Sequence, residues 1–238
     1  MLKSCKAVIL AGGLGTRLHP FTQVIPKPLL PIGESSVLEL QILSLKRFGV
    51  TDIIIATNHM SDYVKAFLGD GSRYQVKITF SQEEKPLGTC GPLSLVRSLL
   101  TEPFFMLNGD ILTTLDFAAF HEAGMKTDAN LIVATKELIT PFQFGKILSE
   151  NGYITGVEEK PDLKLEILAG IYMLKPAALE FIPDNEYFGI DSLIKTMLAK
   201  HLKVGKHLIK EYWLDIGRIN DYETAQNAYK QHFAELKK

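Results

Sequence analysis

The sequence predicts an α/β protein built on a doubly wound, mainly parallel sheet, and three observations lead there. Short apolar runs rich in Val, Ile and Phe alternate with amphipathic stretches, the pattern of strand–helix–strand units whose strands are covered on both faces. Four such strand-then-helix repeats fit within the first 125 residues, and a parallel pair needs a crossover of this length between its strands. The first run opens directly into a glycine-rich loop, at the strand end where open sheets of this kind bind ligands.

The first strand spans 6–10, KAVIL. A helix over 37–48 follows from the spacing of Val37, Leu38, Leu40, Ile42, Leu45 and Phe48, which leaves Glu39, Lys46 and Arg47 for solvent. Gly49 ends it. Strand 52–56, helix 62–68 before Gly69, and strand 76–81 come next, then a helix over 92–100 and a strand over 104–107 that is apolar throughout. Beyond residue 125 the pattern changes to strands at 131–135, 144–149, 153–158 and 166–174, with Asn151-Gly152 marking a hairpin. Helices over 190–199 and 221–236 complete the reading. The chain reads as a single domain over 1–238, with a nucleotide-binding half over about 1–125 and a second ligand-binding half over about 126–238 sharing one sheet.

With 238 residues, 46% hydrophobic and 22% charged, the chain has the length and composition to bury a core without disulfides or a structural metal. Twenty-six basic and 27 acidic side chains leave a net charge of −1, so no global field favours nucleic acid or an anionic membrane. Charge that binds phosphate must be local. The two cysteines, Cys5 and Cys90, make neither a disulfide framework nor a zinc cluster and suit a reducing cytoplasm. The apolar run 7–11 is too short for a secretory leader, and no stretch approaches the ~20 residues of a membrane span, so the protein is expected in the cytoplasm.

The chemistry concentrates first in Leu10-Ala11-Gly12-Gly13-Leu14-Gly15-Thr16-Arg17-Leu18. Its glycines let the backbone approach a polyphosphate, and Arg17 adds a forked charge for phosphate oxygens. The third glycine of a dinucleotide fingerprint would fall on Leu18, and no Gly-Lys-Ser/Thr follows, so the loop is neither a dinucleotide fingerprint nor a P-loop. In Pro26-Lys27-Pro28-Leu29-Leu30-Pro31 the prolines fix a lysine at one point, where its charge suits a leaving pyrophosphate.

With Asn108-Gly109-Asp110, Glu159-Lys160-Pro161, Ala169-Gly170-Ile171-Tyr172 and Trp213-Leu214-Asp215-Ile216-Gly217, these two motifs resemble, in order and over nearly the whole chain, the sugar-phosphate nucleotidyltransferase family. That family includes mannose-1-phosphate guanylyltransferases and glucose-1-phosphate thymidylyltransferases. The resemblance implies a Rossmann-like, glycosyltransferase-A-like fold and a reaction in which a nucleoside triphosphate and a sugar 1-phosphate give a nucleotide-sugar and pyrophosphate.

It further implies that Asp110 and Asp215 ligate Mg2+, a hard ion that takes one or two carboxylates alongside substrate phosphates. Arg17, Lys27, Asp110 and Lys160 are the expected catalytic residues. The nucleotide is expected against Leu10, Ala11, Gly12, Gly13, Gly15 and Thr16 of the first loop. Pro86, Gly88 and Thr89 of the loop before residue 92, with Asn108 and Gly109, extend that site, and Gln82 is placed at the edge of the base. Lys160 would grip the phosphate of the sugar phosphate, Glu159 its sugar hydroxyls, and Gly145 and Gly170 would let backbone approach it. The loop Leu87-Gly88-Thr89-Cys90-Gly91 looks more like that of the guanylyltransferases, which favours GTP with a mannose- or heptose-like sugar phosphate; thymidylyl, uridylyl and cytidylyl transfer remain alternatives. A related glycosyltransferase would carry a D-x-D triplet where Asp110-Ile111-Leu112 stands, and a non-catalytic nucleotide-sugar sensor could dispense with Arg17, Lys27 or one carboxylate. The oligomeric state stays open, with a homodimer as one option.

Overall fold

The computed structural model describes Leu2 and residues 5–237. Its strands are β1 (Lys6–Leu10), β2 (Pro31–Ile32), β3 (Ser35–Ser36), β4 (Asp52–Thr57), β5 (Lys77–Gln82), β6 (Phe104–Asn108), β7 (Ile111–Thr113), β8 (Leu131–Pro141), β9 (Lys146–Glu150), β10 (Tyr153–Glu158), β11 (Asp162–Leu174), β12 (Val204–Leu208) and β13 (Trp213–Asp215). Its α-helices are α1 (Val37–Arg47), α2 (Ser61–Leu68), α3 (Phe117–Met125), α4 (Ile190–Ala199) and α5 (Ile219–His232).

Seven strands form one sheet in the order β12-β8-β11-β6-β1-β4-β5, joining strands from both halves of the chain. β1 pairs in parallel with β4 and β6, β4 with β5, and β8 with β12. Within this sheet β11 alone runs the other way, antiparallel to β6 and β8.

Alternation along the central strands sends side chains into two cores. Ala7 and Ile9, Ile53 and Ile55, Phe105 and Leu107 face one side, where Leu38 and Ile42 of α1, Val64 of α2 and Phe120 of α3 pack. Val8, Ile54 and Met106 face the other, covered by Leu193 and Met197 of α4 and by Leu93 and Val96. Strands apolar on both faces need a helix layer on each, hence the double winding. α1 starts at a capping box in which Ser36 accepts from the Glu39 N–H at 3.2 Å and Glu39 accepts from the Ser36 N–H at 2.7 Å. Gly49, at φ +90°, lets the chain leave it.

Five departures from the sequence reading appear in the structure. The expected helix over 92–100 is a 3-10 helix, Gly91–Leu99; its buried Leu93 and Val96 are three residues apart, the repeat of a three-residue turn. β8 and β11 run past the sheet as a two-stranded arm pairing 136–141 with 162–167, and the β9–β10 hairpin belongs to the same exposed segment. Its strands have no buried face to enforce apolar alternation, so their charged residues read as strand ends. β12 was not expected, because this edge strand carries Lys206 and His207 among few apolar residues. β7 and β13 are three-residue strands that exist through pairing with each other. The last expected helix, 221–236, divides into α5 and a 3-10 turn, Ala234–Lys237.

No helix among the described residues is long and apolar enough to cross a membrane.

Candidate active site

The carboxyl ends of β1, β4, β5 and β6 surround a cleft of about 400 Å³, within the range of small-ligand pockets. Leu10, Gly12 and Gly13 line it from the first loop, Pro86, Gly88 and Thr89 from the loop after β5, and Asn108, Gly109 and Asp110 from the end of β6. The two loops nearest the sheet axis touch: the Gly109 N–H donates to the Leu10 carbonyl at 2.9 Å, and a Cβ on residue 109 would lie 2.6 Å from that oxygen. Glycine is therefore required at 109 by the approach of two backbones.

Asp110 follows β6 directly. Lys27, buried at the start of a 3-10 turn, Lys27–Leu29, donates from Nζ to Asp110 Oδ2. Asp215 closes β13 and pairs with Ile111 across the β7–β13 ribbon, while the Ile216 N–H donates to the Asp110 carbonyl at 3.0 Å. Two residues 105 positions apart in sequence, 215 minus 110, thus meet at one point. The Trp213 indole N–H donates to the Ala169 carbonyl at 2.8 Å and ties β13 to β11.

Burial pushes the Asp215 carboxyl above the usual carboxylate range, the charge of Asp110 adds to the push, and Lys27 and Arg17 oppose it. The Arg17 guanidinium lies beside Gly217, 3.5 Å from where a Cβ would stand. Asp110 Oδ1 and Asp215 Oδ1 are both buried without a hydrogen-bond partner. Two neighbouring carboxylates with orphaned oxygens are costly unless a cation completes them. The described residues hold no cluster of three or more His, Cys, Asp and Glu placed to hold a metal ion; a two-carboxylate site fits Mg2+, which keeps waters and substrate oxygens as its other ligands.

Gln41 of α1 was not among the expected site residues. Its Nε2 donates to the Asn108 and Ile111 carbonyls, each at 2.8 Å, and so bridges both ends of the turn that carries Asp110. A lone buried Gln in a helix gives no signal of this in the sequence.

Several expected residues lie elsewhere than in the cleft wall. Ala11 is in the core, its N–H bonded to the Ala56 carbonyl at 2.7 Å. Gly15 takes φ +63° in front of the 3-10 turn Thr16–Leu18, with its carbonyl bound by the Thr22 hydroxyl at 2.7 Å. Thr16 is exposed on that turn. Gln82 faces away: its Oε1 accepts from Lys65 Nζ at 2.7 Å and from the Ser61 hydroxyl at 3.2 Å. The next residue, Glu83, lines the cleft instead, together with Asn58 and Tyr187. Thr89 lines the cleft and also caps α4, its hydroxyl accepting from the Ile190 N–H at 2.7 Å.

In the second half, Glu159 and Gly145 are neighbours, a Cβ at 145 falling 3.2 Å from Glu159 Oε2. Glu159 and Lys160 are exposed, and Lys160 takes φ +45°, a conformation that L side chains avoid and that concentrates at functional positions. Gly170, at φ +68°, touches Asn108, whose Nδ2 would be 2.8 Å from a Cβ there. Asn108 therefore joins the cleft to the second half.

A family model described as nucleotidyl transferase matches residues 6–232. A mannose-1-phosphate guanyltransferase beta-B of Xenopus laevis is 35% identical, the alignment covering 95% of this chain and 65% of that protein. The mannose-1-phosphate guanyltransferase of Schizosaccharomyces pombe is 34% identical over 94% of this chain and 64% of its own length. The chain thus spans just under two thirds of the curated relatives it matches. Among solved structures, HddC from Yersinia pseudotuberculosis complexed with GMP-PN superposes with a TM-score of 0.74 at 27% identity, covering 94% of this chain and 99% of that one. With the family model extending from β1 into α5, the chain belongs to the nucleotidyl transferase family.

Proposed function

We propose that the chain joins a nucleoside triphosphate, with GTP favoured, to a mannose- or heptose-like sugar 1-phosphate, releasing pyrophosphate and a nucleotide-sugar, with Mg2+ as cofactor. The observation that carries this reading is the convergence of Asp110 and Asp215, each with an orphaned carboxylate oxygen, beside a cleft floored by Gly12 and Gly13. The curated relatives named as mannose-1-phosphate guanyltransferases and a neighbour complexed with GMP-PN support GTP and mannose as first candidates.

The triphosphate enters the cleft with its phosphates along the first loop, whose backbone N–H groups and Arg17 counter their charge. Asp110 and Asp215 would hold the Mg2+, which would supply positive charge to offset the repulsion between the reacting phosphate groups. Lys160 holds the sugar phosphate, whose oxygen is already anionic and needs no general base, for in-line attack on the α-phosphorus. Lys27, released from Asp110 as substrate charge arrives, and Arg17 take up charge on the departing pyrophosphate. Glu159 and Gly145 orient the sugar. The buried thiols, both free, suit a cytoplasmic setting.

The test is a matrix of five triphosphates against common sugar 1-phosphates, scored by pyrophosphate release with magnesium present. GTP with a mannose- or heptose-like phosphate should give the highest rate, and Asp110→Asn and Asp215→Asn should each lower it by ~10²-fold or more. Turnover within a few-fold of the parent in both variants would overturn the metal assignment.

A further inference from the structure

We propose that Tyr222 and Gln226 of α5 are positioning residues, which clamp the proline segment behind Lys27 and so set that lysine against Asp110. This rests on reading Lys27 as part of the proposed reaction, and it gives the last helix a part in placing it.

The segment from Pro26 to Pro31 transmits position because it is stiff. Pro26, Pro28 and Pro31 each fix their own φ, the Leu29 N–H donates to the Pro26 carbonyl at 2.8 Å, and the Leu30 N–H donates to the Lys27 carbonyl at 3.1 Å. Near its start Lys27 Nζ meets Asp110 Oδ2. At its end α5 takes hold. The Pro31 carbonyl accepts from the Tyr222 hydroxyl at 2.8 Å and from Gln226 Nε2 at 2.6 Å, and Gln226 Oε1 accepts from the Gly33 N–H at 2.9 Å. One amide thus bonds backbone groups on either side of Ile32, and only one orientation of its O and N satisfies both. Gly33, at φ +58°, lies so close to the helix that a Cβ there would sit 2.2 Å from the Tyr229 ring, which leaves the segment no room to slide. The pairing of β2 with β3 covers only Pro31–Ile32 and Ser35–Ser36, too little sheet to hold the segment by itself.

The same helix is fixed to the strand that carries Asp215. Asp221 Oδ2 accepts from the Gly217 N–H at 3.1 Å and from the Arg218 N–H at 2.7 Å, just beyond β13. A small core beneath packs Leu30 and Ile32 with Ile216, which follows Asp215, and with Ala225 and Tyr229 of α5. The helix therefore holds the lysine's segment and the Asp215 strand in one frame. Neither Tyr222 nor Gln226 is among the residues lining the cleft, so their effect on rate passes through the segment they hold.

Tyr222→Phe, Gln226→Met and the double variant remove the clamp while keeping side-chain size and helix propensity. Asn227→Met, on the exposed side of α5, is the control. Reductive methylation mapped by mass spectrometry reads the accessibility of Lys27 Nζ without any turnover. Lys27 is 9% exposed in the parent; in the double variant its labelling rate should rise roughly 10-fold, the equivalent of one or two ordinary hydrogen bonds, while exposed Lys126 keeps the parent's rate. In pyrophosphate-release kinetics kcat should fall by about 10- to 100-fold, with KM for the sugar phosphate within about threefold of the parent. The control should match the parent in both. Contacts that served stability alone would lower Tm and leave the labelling of the folded protein and its kcat unchanged.

A folded double variant whose Lys27 labelling matches the parent overturns the proposal, as does one whose labelling rises while kcat stays at the level of an active parent. If the double variant does not fold, Tyr222→Phe, which removes a single hydroxyl, carries the test by the same criteria, with a rise of about threefold expected. If the parent turns over no sugar phosphate, the proposed reaction fails and labelling alone decides the clamp: a rise upholds it, and a parent-like rate sinks it.

Discussion

Replacing Gln41 with leucine removes the two hydrogen bonds that close the Asp110 turn from both ends while keeping a side chain of similar length in the core. The Asn108 and Ile111 carbonyls each lose a donor 2.8 Å away in a buried setting, and a buried group left without its partner costs ~1–3 kcal/mol. The orphaned Gln41 Oε1 disappears in the same change, which offsets part of that cost. A net loss of about 2 kcal/mol is expected, equivalent to a fall in Tm of roughly 4–8 °C for a chain of this size. The larger effect should be on chemistry. Asp110 sits on the turn that Gln41 braces, and a displacement of ~1 Å in a positioning group can cost ~10²-fold in rate. Urea denaturation gives the first quantity. Pyrophosphate-release kinetics give the second, and kcat should drop while KM for the sugar phosphate stays within a few-fold, because Gln41 touches neither substrate. A folded Gln41→Leu protein with kcat within threefold of the parent would refute the reasoning, since the turn would then hold its shape without the brace.

Two other outcomes follow from charge and burial. In metal-free buffer Asp215→Asn should raise Tm, because burial and the Asp110 charge already work against the ionised Asp215 carboxyl; Asp110→Asn should lower it, because Lys27 is left buried without its counter-charge. Opposite signs in paired melting curves are the check, and equal shifts would contradict the ion-pair assignment. Burial pushes the Cys5 and Cys90 thiols up to about 12, so at pH 8 only ~10⁻⁴ of either is thiolate and neither should react with a disulfide reagent until denaturant is added.

The sheet was legible because its central strands are apolar on both faces: Lys6–Leu10 stands in the structure with the boundaries that the sequence suggests. Elements held by partners were not. β12 is a polar edge strand whose place depends on β8, and β7 and β13 are too short to show a period. The meeting of Asp110 with Asp215 had no local signal, since no spacing rule connects residues on different strands; only the ordered family motifs pointed to it. That Glu83 and not Gln82 lines the cleft turned on one residue of strand register. Ser81 and Glu83 are buried and Gln82 is exposed, an alternation that the mixed sequence Thr79-Phe80-Ser81-Gln82-Glu83 does not reveal. Gln41 was hidden for another reason: it lies on the buried stripe of α1, where a polar residue serves the loop beneath it rather than the helix.

Crystals grown with Mn2+ and a non-hydrolysable guanosine triphosphate analogue, examined by anomalous scattering, address the metal site most directly. A peak about 2–2.3 Å from a carboxylate oxygen of both Asp110 and Asp215, in contact with the bound phosphates, is the expected result. A well-occupied analogue whose metal lies away from either aspartate would contradict it.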